Sequence, residues 1–65
     1  MSDQPVSAGD EITAVVTRTV PFGVFVEYAG VPGLVRRAQA EPGAELRLRV
    51  VDYDAAERRF SATAV

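Results

Sequence analysis

The run PFGVFVEYAGVPGLV, Pro21–Val35, carries the clearest structural instruction in the chain. Pro21 and Gly23 break whatever precedes them, and GVFVEY then alternates with a period of two. Val24 and Val26 fall on one face, Phe25 and Glu27 on the other. Ala29–Gly30 is a tight-turn signal, and a short strand around Val31–Val35 follows, with Pro32 suited to a strand start or a sheet edge. If the valines enter a core, Phe25 points outward, where a large apolar ring needs a reason. Phe22 stands beside it just after Pro21, and Tyr28 is assigned to a rim.

The same period recurs on both sides. After Gly9–Asp10, the residues Ile12, Ala14 and Val16 alternate with Thr13, Val15 and Thr17. Farther on, Leu46, Leu48 and Val50 alternate with Glu45, Arg47 and Arg49 across Glu45–Val51, the most regular pattern present. DYDAAERR (52–59) reads as a polar turn region and FSATAV (60–65) as a last strand with Phe60 and Ala62 inward. RRAQAEPG (36–43) connects the third and fourth strands, with room for one helical turn before Pro42 and Gly43 stop it. Residues 1–8 lack periodicity and are expected to form a flexible lead, leaving residues 9–65 as one domain. Five short strands without a long helix cannot bury a flat sheet on anything else. The chain is therefore predicted to curl into a small all-β barrel.

Composition sets further bounds. Sixty-five residues allow one small domain, and a hydrophobic content of 48% argues for a globular one. Cysteine and histidine are absent, which removes disulfides, thiol chemistry and the usual zinc ligands. No metal or cofactor is expected. Acid–base work would rest on carboxylates alone, and Asp52 with Asp54 reads better as a turn cap than as a catalytic pair, so an enzyme is not expected. No apolar run is long enough to cross a bilayer, and the start lacks the apolar core of a signal peptide, so a cytoplasmic, non-membrane protein is expected. Nine acidic residues against seven basic ones give a net charge of −2, which counts against a nucleic-acid ligand. All seven cations are arginine, however, and a guanidinium both pairs with phosphate and stacks on bases.

Taken together, four segments resemble the S1 RNA-binding domain family, in order and at near-family spacing. GDEITAVVTRTV is similar to the family's first strand, and PFGVFVEYAGVPGLV to its signature hairpin. PGAELRLRVVDYD and RRFSAT resemble its fourth and closing segments. The resemblance covers about Gly9 to Thr63. It implies a five-stranded, S1-like OB-fold antiparallel barrel, here with a shortened connector between strands 3 and 4. It also implies an RNA face. On that face Phe22 and Phe25 match the two family aromatics, and Asp54 the acidic residue after the fourth strand. Arg59 matches the arginine before the last strand, with Arg58 nearly as good a match. Arg36 stands where the family often has histidine, which retains a cation and loses a titratable ring.

Two functions follow from these residues. The first is weak, low-specificity binding of single-stranded RNA, with bases stacked on Phe22 and Phe25 and phosphates held by Arg36 and Arg58 or Arg59. For this, Arg36–Arg37 and Arg58–Arg59 are expected to gather into one basic rim where the third and fifth strands meet. Arg47 and Arg49 are assigned to a solvated stripe. The second is a protein-interaction OB domain, docking on a partner or a second copy. The short connector favours it, because Ala38 and Ala40 are expected to cover the barrel end only in part.

Overall fold

The computed structural model describes residues 5–65. Its strands are β1 (Glu11–Val20), β2 (Gly23–Tyr28), β3 (Val31–Arg36), β4 (Glu45–Asp54) and β5 (Arg59–Ala64). They close in the order β1-β2-β3-β5-β4, with β4 paired back onto β1. This is the five-stranded OB-type barrel expected. Closure leaves no sheet edge, which is how so short a chain satisfies its backbone and buries one face. Four seams are antiparallel, and the β3–β5 seam is parallel.

The inward set follows the two-residue period. Ile12, Ala14 and Val16 of β1, Val24 and Val26 of β2, Val35 of β3, Leu48 and Val50 of β4, and Phe60 and Ala62 of β5 are all buried. Gly33 completes the β3 contribution. A Cβ there would lie 2.7 Å from Cε1 of Phe60, so the ring of β5 occupies the space a side chain would need. Ala29 and Gly30 join β2 to β3 with φ of 52° and 79°, the paired positive φ of a type I′ hairpin turn.

Two bulges break the period. In β1 the register passes from Val16 opposite Val26 to Arg18 opposite Phe25, leaving Thr17 as the extra residue. In β4 it passes from Val50 opposite Ala62 to Asp52 opposite Ser61, leaving Val51 extra. Strict alternation would carry Arg18, Asp52 and Asp54 onto the inward face with Val16 and Val50. Each bulge resets the phase by one residue and keeps these charges in water. The second bulge also lets β4 run to Asp54, beyond the Val51 limit expected from its pattern. The polar turn is thus reduced to Ala55–Arg58.

Segments outside the strands also pack onto the core. Val6 is 1% exposed and belongs to the core, so the folded unit begins inside the stretch expected to be a flexible lead. Hydrogen bonds explain this: the Ser7 amide donates to Asp10 Oδ2 at 2.9 Å and the Gly9 amide to the Val50 carbonyl at 2.7 Å. The rest of that lead, residues 1–4, lies outside the described residues. The connector, residues 37–44, contains no helical turn. It is stitched to β1 instead, by the Gly43 amide on the Val16 carbonyl (2.7 Å), the Val16 amide on the Ala44 carbonyl (2.8 Å) and Thr19 Oγ1 on the Ala40 carbonyl (2.9 Å). Ala38, Ala40 and Ala44 pack half-buried against the core.

Candidate nucleic-acid interface

Phe25 lies on the outward face of β2, between Val24 and Val26, and is half-buried. Its register partners are Arg18 on β1 and Leu34 on β3. Phe22 sits in the two-residue turn between β1 and β2 and is 55% exposed. The turn is held against the connector by the Arg37 amide, which donates to the Phe22 carbonyl at 3.0 Å, with Arg37 at a φ of 61°. The two rings meet edge to face, with centroids 6.4 Å apart and planes at 87°. That geometry suits the ring quadrupoles.

An open groove of about 660 Å³ runs from these rings across β3 and β5 to β4. Its walls include Phe22, Phe25, Arg36, Asp54 and Arg59, so five of the six site residues expected from sequence border one space. Arg58 does not. Its φ of 56° in the β4–β5 turn takes it to a separate recess with Pro5, Val31 and Tyr53. Of the two neighbouring arginines, only Arg59 reaches the groove.

The single basic rim is a correction. Because β3 and β5 run parallel, with Gly33 opposite Phe60 and Val35 opposite Ala62, Arg36 and Arg59 lie at opposite ends of their seam. At ~3.3 Å per residue the separation is roughly 13 Å. Arg37 faces a larger neighbouring cleft of about 1080 Å³, which adjoins the groove through Phe22 and Arg36 and is otherwise walled largely by the connector. Three carboxylates, Asp52, Asp54 and Glu57, share the groove with its two arginines. The acids crowd its β4 side, and the rings and Arg36 lie toward the β1–β2 turn.

Asp54 has a structural task as well. Its Oδ1 accepts from the amides of Ala56 (3.0 Å) and Glu57 (3.1 Å), which shapes the turn that delivers Arg59. Away from the groove, Arg47 and Arg49 form the solvated stripe expected, but with Glu11 of β1 as their shared partner, at 3.2 and 2.9 Å. Arg49 first and Arg47 second hold the Glu11 carboxyl below its ordinary value.

Periodicity missed Leu34 and Arg18 as neighbours of Phe25. Leu34 was legible as the outward partner once β3 was placed. Arg18 was not, because counting by twos from Val16 puts it inside and only the bulge turns it out.

A closed five-stranded OB barrel with two outward rings and arginines bordering an open groove has the layout of a nucleic-acid-binding module. The S1 RNA binding domain profile matches residues 6–63. The chain belongs to the S1 RNA-binding domain family. It is 30% identical to small ribosomal subunit protein bS1 of Helicobacter pylori, over 94% of this chain and 13% of that protein. Among solved structures, an uncharacterized Methanocaldococcus jannaschii protein superposes with a TM-score of 0.83 at 23% identity, covering 92% of this chain and 93% of that one. A chain of the a/eIF2alpha–aDim2p–rRNA complex of Pyrococcus horikoshii superposes with a TM-score of 0.79 at 18% identity, covering 91% and 44%. At these identities the structural likeness is one of fold.

Proposed function

We propose that this domain binds single-stranded RNA weakly and with little sequence preference. Bases stack on Phe22 and Phe25, and phosphates meet Arg36 and Arg59. The observation that carries this reading is the edge-to-face pair of rings, one of them 55% exposed, on the outward face of a barrel whose family binds RNA. Each stacked base contributes ~1–3 kcal/mol and any base serves, since each has a π-face. Two phosphate contacts on a single strand give a salt slope of roughly −1.4, so affinity falls several-fold between about 50 and 200 mM salt. With three carboxylates in the groove, micromolar or weaker binding is expected. Asp54 then serves mainly by holding the turn that presents Arg59.

Those three carboxylates favour a second reading, in which the barrel docks on a protein partner or a second copy and RNA is repelled. One experiment separates the two: titration with a short single-stranded RNA at low salt, followed by amide chemical shifts. RNA binding predicts saturable shifts centred on Phe22, Phe25, Arg36 and Arg59. Unmoved spectra at millimolar RNA would overturn it.

A further inference from the structure

Resting on the RNA reading, we propose that Arg18 is a further phosphate-binding residue, which holds the RNA backbone on the β1–β2 side of the groove where the strand passes Phe25. A registered row crosses the barrel's outer face: Arg18, Phe25, Leu34, Ser61, Asp52. Its two charged members stand at opposite ends, and each is turned outward by one of the two bulges. Phosphate is attracted at the Arg18 end and repelled at the other, where Asp54 and Glu57 join Asp52 in the groove wall.

Arg18 is placed and available for that contact. As Phe25's partner on the adjoining strand it lies ~5 Å from it, backbone to backbone. The bulge that orients it is fastened to the same residue, since Thr17 Oγ1 donates to the Phe25 carbonyl at 3.2 Å. Arg18 is exposed, and among the described residues it takes part in no ion pair, in contrast to Arg47 and Arg49. Nor does it stack on a ring, since the one ring contact found among those residues is Phe22 with Phe25. Arg36, opposite Gly23 on β3, borders the rings from the other side. Arg18 and Arg36 therefore stand on the two strands that flank β2 and its Phe25, Arg36 in the groove wall and Arg18 beside it, so a strand with bases on the rings has a cation on each flanking strand for its phosphates.

The test measures binding of a labelled oligouridylate of about 8 nucleotides, within the span of one OB fold, across about 50 to 200 mM salt. Arg18→Ala should weaken binding roughly three- to ten-fold at the lowest salt and flatten the salt slope by about 0.7, the loss of one phosphate contact. Arg18→Lys should restore the slope. Arg47→Ala changes net charge equally on a face away from the groove and should leave the slope unaltered. If Arg18→Ala matches Arg47→Ala while Phe25→Ala abolishes binding, the RNA reading stands and the role of Arg18 is refuted. If the unaltered protein binds no oligonucleotide, both fall. Arg18 is exposed, so unchanged urea midpoints for its variants are expected and would tie any loss to binding.

Discussion

Substituting Gly33 by alanine probes a tight contact inside the barrel. The new methyl would sit 2.5 Å from Phe60 Cε2 and 2.7 Å from Cε1, where carbon atoms prefer ~3.5–4.0 Å. The ring must therefore move by about 1 Å, and Phe60 is 2% exposed and the largest fully buried side chain. Overpacking of this kind costs ~1–3 kcal/mol. A 65-residue domain holds in total about 3–10 kcal/mol, so the substitution removes a large share. With a urea slope of ~1 kcal/mol/M, the midpoint should fall by about 1–3 M. Far-UV circular dichroism or Tyr28 and Tyr53 fluorescence would follow the transition. Shortening the ring should relieve the clash, so Gly33→Ala combined with Phe60→Leu should be more stable than the two single effects added, by ~1 kcal/mol or more. A neutral Gly33→Ala, or strict additivity, would show that the ring does not fill the space above Gly33.

The rings are separable from the fold: Phe22→Ala, at a 55%-exposed site, should leave the urea midpoint nearly unchanged yet weaken single-stranded RNA binding by ~1–3 kcal/mol. Phe25→Ala should weaken binding as much while also lowering stability, because that ring is half-buried; equal RNA affinity for both variants and the parent would refute stacking. Ala29 occupies a φ of 52° in a type I′ turn, so Ala29→Asn should relieve left-handed strain and raise stability by up to about 1 kcal/mol in the same urea titration. Glu11 has a folded-state value below its ordinary 4.5, so its contribution is present above 4.5 and is lost as pH falls through the lower folded value. Glu11→Gln should therefore reduce the difference in thermal midpoint between neutral pH and acid below 4.5, modestly because the pair is exposed and screened.

The strands and their inward faces were legible in the sequence because one face of each is buried, and burial enforces a two-residue period that any reader can count. Ile12, Ala14, Val24, Val26, Leu48 and Phe60 all obey it. The outward turn of Phe25 follows from the same count. The family resemblance supplied Phe22, Asp54 and the arginine before β5, and five of the six residues so chosen border one groove.

Several features required the closed barrel. Thr17 and Val51 carry no local mark of a bulge; each extra residue becomes necessary only when the curvature of closure and the desolvation of Arg18 or Asp52 are felt together. Val6 has no periodic neighbours, and it is buried because the barrel presents an open end within its reach. The choice between Arg58 and Arg59 turns on one positive φ at the end of a turn. The expected basic rim failed because the direction of β5 relative to β3 is a property of topology, and parallel strands hold Arg36 and Arg59 apart. Local pattern thus specified which side chains leave water, since that choice repeats along each strand. The assembly of charges around the rings arose from register between strands distant in sequence, which no local pattern records.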